Sequence, residues 1–187
     1  MARKIFCLIL VLFVGGLFIM DGNAQEKKAK EFQYIGANKC KMCHNSKKSG
    51  QQFSIWENSA HAKAFATLAT EKAKEVAAKM EIADPQKSEK CLVCHVTGGG
   101  KPAAMFAATF SQEEGVGCES CHGPGSEYKS MKVMKGLYDG SLNAEEYGFI
   151  KAGEAQCKTC HNEKSPTFKG FEFKTYWEKI AHPVPEK

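Results

Sequence analysis

Four stretches of one form decide how this chain folds, because each places two cysteines three residues apart with a histidine directly after the second. The stretches are Cys40-Lys41-Met42-Cys43-His44, Cys91-Leu92-Val93-Cys94-His95, Cys118-Glu119-Ser120-Cys121-His122 and Cys157-Lys158-Thr159-Cys160-His161. This is the spacing of c-type haem attachment, in which two thioethers hold the porphyrin and the adjacent imidazole ligates the iron. The sequence therefore predicts four covalently bound haem c groups.

Disulfides and zinc are the two other uses of paired cysteines. An even number of cysteines in an exported chain commonly forms disulfides, and paired Cys-x-x-Cys units can hold zinc. Neither use explains why a histidine follows every pair. The chain has nine cysteines, and the only one outside the four motifs, Cys7, lies in the N-terminal apolar run. Haem attachment is therefore the interpretation we prefer.

The N-terminus has the parts of a secretory signal peptide. Two basic residues precede an apolar run over residues 5–20, and Gly22 and Ala24 offer small side chains for cleavage. The run is shorter than the about 20 residues needed to cross a membrane. We expect cleavage after Ala24, a single mature domain over residues 25–187, a periplasmic location and no membrane span after cleavage.

The formal net charge of +5 does not indicate a nucleic-acid partner. Each haem brings two propionates against one net positive charge on ferric iron, so four haems would bring the mature protein close to neutrality. The expected partners are redox proteins, and the expected function is electron transfer, which requires no acid or base from the protein.

The first and last motifs belong to a longer repeat, C-K-x-C-H-N followed by W-E-x-x-A-H. The repeat ends on His61 in the first copy and on His182 in the last, and these are the two of six histidines that the motifs leave over. We predict that both bind iron from the distal side. Four irons have eight axial positions, so at most two haems can be bis-histidine, and the others need methionine, another ligand, water or an open site.

Helical patterns separate the motifs and strand signals are weak, so the predicted fold is a small, mainly α protein with little or no β. An apolar stripe that includes Trp56, Ala60 and Leu68 predicts one long helix from Ser54 to about Met80. Shorter helices are predicted over 128–135, 143–150 and 173–181. Because four haems share one small chain, haems should form most of the core.

Three segments resemble the tetrahaem cytochrome c-554 family. They are the run from Ser54 to Ala64 with Trp56 and His61, Cys91–Val96 with the glycines after it, and Gly115-Val116-Gly117-Cys118-Glu119-Ser120-Cys121-His122-Gly123-Pro124-Gly125. The last of these is the most specific. The likeness is good over residues 36–128 and looser from there to His182.

The resemblance implies a mostly helical fold with haems in close pairs, and periplasmic electron transfer from a hydroxylamine oxidoreductase-like donor. It also implies three bis-histidine haems and a second haem, on Cys91, Cys94 and His95, without a distal protein ligand. By the same resemblance, His61 would serve the third iron rather than that of its own motif, and His182 would serve the fourth.

The sequence departs from the family where a further distal histidine is expected shortly after Gly-Pro-Gly. That region contains Met131 and Met134 instead. Either could give a His/Met haem, and the alternative is that both are core methionines and the iron is open. An open iron allows a second function, a haem enzyme acting on nitric oxide or hydroxylamine. Such an enzyme needs a proton donor, and no histidine is left for that role.

Overall fold

Short helices joined by turns carry the chain through the computed structural model, which describes residues 31–184. The helices are α1 (Asn38–His44), α2 (Gln52–Glu57), α3 (Ala64–Thr67), α4 (Glu71–Lys79), α5 (Glu89–His95), α6 (Cys118–His122), α7 (Met131–Asp139), α8 (Glu154–Lys158) and α9 (Phe173–Trp177). Three 3-10 helices cover Ala103–Met105, Gln112–Glu114 and Ala144–Tyr147. Within the described range, an isolated parallel bridge between Tyr34 and Phe106 is the only β pairing. The prediction of a mainly α fold with little or no β is confirmed.

The predicted signal peptide, residues 1–24, lies outside the described residues. From Glu31 onward the chain forms a single unit of packed segments. Over residues 31–184, no helix has the length and apolar character needed to cross a membrane.

The prediction of one long helix from Ser54 to Met80 is wrong, because α2, α3 and α4 divide that stretch. Two carbonyl groups that a continuous helix would use internally are bound from outside. The backbone N–H of Val116 donates to the His61 carbonyl at 3.0 Å, and His95 Nδ1 lies 2.8 Å from the Ala64 carbonyl oxygen. Thr70 then starts α4 as its N-cap, with its side chain accepting from Ala73 N–H. Contacts with distant motifs therefore override the local helical pattern.

The shorter helices are present but shifted or reduced. The helix predicted over 128–135 forms as α7, which begins after the N-cap Ser130 and ends at Gly140 in the left-handed region. The stretch 143–150 forms only a single 3-10 turn, which ends at Gly148 with φ +69°. The last helix, α9, stops at Trp177, four residues before the predicted end. Capping residues and glycines thus set these boundaries more narrowly than the apolar pattern.

The buried part of the protein is small, and most of it lies beside the first three motifs. The buried hydrophobic side chains are Tyr34, Ile35, Ala37, Phe53, Leu68, Ala77, Val96 and Tyr128, and the buried polar ones are Thr97 and Glu119. Tyr34 stacks on Phe106 with ring centres 5.4 Å apart. By contrast, no residue of the described stretch 151–184 is buried. Side chains alone therefore make only part of a core.

Candidate haem-binding site

Each of the four motifs begins on a short helix. The first three lie wholly within α1, α5 and α6, which all end at the motif histidine. The fourth starts with Cys157 in the last turn of α8, and Cys160 and His161 follow in the next turn. A spacing of three residues on a helix puts both cysteines on one face. The local backbone therefore presents each cysteine pair side by side.

The fold brings the motifs together in a defined order. Cys40 of the first motif lies near Cys118 of the third, which together with burial raises the pKa of the Cys40 thiol. Cys94 of the second motif likewise lies near Cys160 of the fourth, whose thiol is 3.9 Å from the Val93 carbonyl oxygen. Cys121 is close enough to Cys157 and Cys160 for both to raise the pKa of its thiol, together with burial, to about 11. The contacts thus run from the first motif to the third, then to the fourth, then to the second.

Both spare histidines face the histidine of a motif other than their own. The rings of His61 and His161 have centres 6.1 Å apart at an interplanar angle of 72°. The rings of His182 and His122 have centres 5.9 Å apart at an angle of 47°. The repeat that ends on His61 and His182 therefore places both histidines in the same relation to the fourth and third motifs, respectively.

The resemblance implies another pairing, His61 with the third motif and His182 with the fourth. In the structure His61 faces the histidine of the fourth motif and His182 that of the third. Gln52 Nε2 donates to the Pro183 carbonyl at 2.9 Å, so the backbone next to His182 is tied to the segment after the first motif. Beyond the larger effect of burial, His44 is near enough to His182 to contribute to lowering its pKa, and His182 contributes in the same way to lowering the pKa of His122. The end of the chain therefore returns to the first and third motifs.

The motif histidines are oriented by backbone carbonyls. His95 Nδ1–H donates to the Ala64 carbonyl at 2.8 Å, and His122 Nδ1–H donates to the Ile150 carbonyl at 3.2 Å. Such a bond fixes the tautomer and leaves Nε2 as the nitrogen that can bind a metal. Burial lowers the pKa of His122, His61 and His182, so these imidazoles are kept neutral, which is the ligating form.

The geometry fits an iron between each facing pair. An imidazole nitrogen binds a metal ion at about 2.0 Å and lies about 1.1 Å from its ring centre, so two rings on one metal have centres about 6 Å apart. Ordinary ring packing covers the same range of distances. The deciding observation is the identity of the partners, because each histidine outside a motif meets a histidine inside one.

Aromatic rings support two of the motif histidines. Phe149 stacks on His122 with ring centres 5.5 Å apart and planes 9° apart. Phe171 stacks on His161 at 5.0 Å and 24°. Tyr176, on α9, contacts both Phe171 and His161. These flat apolar surfaces are of the kind that packs against a porphyrin.

The two methionines predicted as alternative ligands lie on α7. Met131 is its first residue and is 79% exposed, and Met134 is half-buried. The histidines outside the motifs whose rings face motif histidines are His61 and His182.

All eight cysteines of the motifs are free thiols in the structure. Across residues 31–184, no group of three or more His, Cys, Asp and Glu side chains is placed to hold a metal ion by itself.

Sequence reasoning missed the polar residues that join the motifs. The Thr97 hydroxyl, which is buried, donates to the Gly115 carbonyl at 3.1 Å and accepts from Gly117 N–H at 2.7 Å, so it links the second motif to the third. Two glutamates, Glu114 and Glu119, bind the backbone that precedes the first motif. In the sequence, only the position of these glutamates inside or beside a motif pointed to a role for them, and surface glutamates can occupy the same positions.

Comparison with known proteins gives consistent matches. Residues 39–123 match the family model described as cytochrome c554 and c-prime. Cytochrome c-554 of Nitrosomonas europaea is 31% identical over 172 residues, covering 85% of this chain and 70% of that protein. The solved structure of the reduced state of cytochrome c554 from the same organism is 29% identical, with a TM-score of 0.49 over 77% of this chain and 73% of that one.

A helical chain whose short helices present Cys-x-x-Cys-His motifs belongs to the c-type cytochromes, which bind haem c covalently and carry electrons. With its extended match to cytochrome c-554, this chain belongs to the cytochrome c-554 family.

Proposed function

We propose that this protein is a periplasmic tetrahaem cytochrome that passes electrons between redox partner proteins. Each Cys-x-x-Cys-His motif would hold one haem, through Cys40 and Cys43, Cys91 and Cys94, Cys118 and Cys121, and Cys157 and Cys160. When bound, each haem supplies a one-electron iron couple, and the protein sets its ligands and surroundings. The observation that carries the proposal is the meeting of His61 with His161 and of His182 with His122.

We assign the histidines to the motifs by the pairs that face each other. His122 and His182 would together hold the iron at the third motif, and His161 and His61 the iron at the fourth. His44 and His95 would each be the single histidine at the first and second motifs, because the chain has six histidines in all. Two nitrogen ligands on both faces of an iron leave no position for a substrate, which suits electron transfer.

The order of motif contacts supports a continuous path. The first and third motifs meet through Cys40 and Cys118, and the second and fourth through Cys94 and Cys160. Cys121 of the third motif, whose thiol pKa is raised by burial and by Cys157 and Cys160 of the fourth, lies between the two pairs of motifs. Because the cysteines are the covalent attachment points, neighbouring cysteines make neighbouring cofactors. A carrier with this order could take up an electron at one motif and release it at another.

The partner proteins follow from the family resemblance. A hydroxylamine oxidoreductase-like donor is the partner that we propose on the electron-input side. Mixing the oxidised protein with such a reduced donor should give full reduction within the mixing time of a stopped-flow experiment. Reduction no faster than that by a small reductant at equal concentration would contradict this partner.

Electron paramagnetic resonance of the oxidised protein tests the ligand assignment. We expect two low-spin bis-histidine irons and two irons with a different signature. Four bis-histidine signals, or none, would contradict the assignment.

A second function is favoured by the histidine count, which leaves the irons at His44 and His95 with one histidine each. An iron with a free position can bind a small nitrogen oxide. Turnover of nitric oxide or hydroxylamine by the isolated protein, at rates above those of its reduction by a partner, would favour an enzyme. Binding without turnover would favour the carrier.

A further inference from the structure

Two glutamates bind four consecutive backbone N–H groups at the entrance to the first motif. The Glu119 carboxylate accepts from Ile35 N–H at 2.9 and 3.1 Å and from Gly36 N–H at 2.8 Å. The Glu114 carboxylate accepts from Ala37 N–H at 2.6 Å and from Asn38 N–H at 3.3 Å. We call this set of contacts the carboxylate clamp. It joins the segment before the third motif, and the motif itself, to the start of α1.

Glu119 also binds the backbone that follows the third motif. Gly125 N–H donates to Glu119 Oε1 at 2.6 Å, so one carboxylate binds the chain before the first motif and the chain after the third. Glu119 is itself the residue after Cys118, and only 2% of it is exposed. The buried carboxylate is satisfied by hydrogen bonds from backbone N–H groups, and burial of a carboxylate is tolerated when it is bonded in this way.

The charge of Glu119 is held in place by these bonds. Both carboxylate oxygens face N–H donors, and a proton on either would point at a donor, so the geometry selects the ionised form. Burial raises the pKa of Glu119, against the opposing effect of the three backbone donors. No ion pair from the described lysines or histidines reaches Glu114 or Glu119. Backbone N–H dipoles stabilise the negative charge of Glu119, and Glu114 also accepts from the Asn38 side-chain amide at 2.7 Å.

That charge lies close to the attachment points of two haems. Glu119 sits between Cys118 and Cys121 in the chain. Cys118 and burial have the largest effects in raising the pKa of the Cys40 thiol. Glu119 and Glu114 raise it further, so both carboxylates lie close to that thiol. A fixed negative charge favours ferric over ferrous iron, since the oxidised centre carries one more positive charge. The effect is strongest where water is excluded.

From this arrangement we infer that the carboxylate clamp fixes the first and third motifs against each other and that its Glu119 charge lowers the reduction potentials of the two haems they hold. The inference rests on the proposed tetrahaem function. Glu114 and Glu119 are positioning residues, since they touch backbone rather than cofactor. In the fourth-motif region the carboxylate that accepts from backbone N–H groups is Glu172, which is exposed and caps α9 instead of joining two motifs. The clamp would therefore make the two pairs of haems electrically different.

The test uses the full-length, haem-loaded protein and three variants. Glu119→Gln removes the buried charge at almost constant shape, and Glu114→Gln removes the outer one. Glu113→Gln is the matched control, because it removes the same charge from an exposed neighbouring residue whose side chain is outside the clamp. Haem content is measured by intact mass, and midpoint potentials are measured by spectroelectrochemical titration.

We expect Glu119→Gln to keep four haems and to shift two of the four midpoint potentials to more positive values. Glu114→Gln should shift the same two centres by a smaller amount, and Glu113→Gln should shift none. A Glu119→Gln protein with four haems and unchanged potentials overturns the inference. An equal shift in the Glu113→Gln control overturns it too, because any lost surface charge would then have the same effect.

Glu114→Gln and a charge-conserving variant, Glu119→Asp, give a result even if Glu119→Gln does not fold. Should Glu119→Gln fail to mature, Glu114→Gln decides, and unchanged potentials in that variant overturn the inference. Glu119→Asp keeps the charge with a shorter reach, so it should lower the melting temperature yet move the potentials less than Gln does. A wild-type protein without four haems would instead refute the proposed function, which is a separate outcome from unchanged potentials in haem-loaded variants.

Discussion

The region around the first and third motifs has a core of protein atoms, whereas the region of the fourth motif has none. The first region contains buried Tyr34, Ile35, Glu119 and Tyr128, and its segments are joined by buried hydrogen bonds. Residues 151–184 contain no buried side chain, and His161 contacts the half-buried ring of Phe171 and the ring of Tyr176, which is 39% exposed. The difference teaches that one part of the molecule can be organised by its own polypeptide, while the other depends on its cofactor.

The largest expected contrast comes from removing haem attachment in each region. Cys157→Ala with Cys160→Ala should give a protein with one haem fewer, in which residues 31–150 stay folded and the last segment is cut by protease. Cys118→Ala with Cys121→Ala should prevent accumulation of folded protein, because the third motif lies inside the core. Intact mass and limited proteolysis measure both. Equal damage from the two double variants would break the comparison.

Loss of a distal histidine should affect one iron at a time. His61→Ala should convert the fourth-motif iron from low to high spin, and His182→Ala the third-motif iron, because each removes one ring of a facing pair. Electron paramagnetic resonance should show one additional high-spin centre in each single variant and two in the double variant. An unchanged low-spin count in either single variant would show that the facing pair does not share an iron.

Two glycine-to-alanine substitutions compare the stability of the two regions. Gly123 has φ +76°, and a Cβ there would lie 2.2 Å from the Gly148 carbonyl oxygen. Gly123→Ala should therefore destabilise the fold by more than about 2 kcal/mol, as expected for a strained backbone combined with a clash. Gly153 has φ −164° and open space around its Cβ position. Gly153→Ala, in the fourth-motif region, should change stability by no more than about 0.5 kcal/mol. Thermal unfolding distinguishes the two, and similar melting temperatures would count against a protein core around the third motif.

Two threonine hydroxyls give the smallest contrast. Thr97→Val removes a buried hydroxyl that bonds Gly115, Gly117 and Ser120, and should cost about 1–3 kcal/mol because buried partners are left unsatisfied. Thr159→Val removes an exposed hydroxyl that donates to the Gln156 carbonyl at 2.7 Å in the fourth motif. Water can replace that bond, so the change should stay within about 0.5 kcal/mol. Denaturant unfolding measures the change in the free energy of unfolding for each variant. Equal changes would mean that the two hydroxyls have similar surroundings, which would contradict the difference in burial.

The mainly helical class could be predicted from the sequence, because it follows from local patterns. The haem ligands stay a prediction, which rests on local spacing and on a count of histidines that a single chain displays directly. The partner of each spare histidine could not be predicted, because it depends on the return of residues 182–183 to the segment at Gln52.

Interactions between distant residues account for the other misses. The helix predicted from Ser54 to Met80 is broken where Val116 and His95 bind the carbonyls of His61 and Ala64. Glu119 looks like a surface charge in the sequence, and only the fold shows that three distant N–H groups surround it. Periodicity and propensity describe neighbours along the chain, so they carry no information on these contacts.

The intact mass of the exported protein tests the central claim most directly. Expressed in a host that matures c-type cytochromes, the chain should have the mass of its polypeptide plus four haems, and the added mass should survive denaturation because the thioethers are covalent. A mass equal to the bare polypeptide, or one haem short at an unmutated motif, would contradict the account.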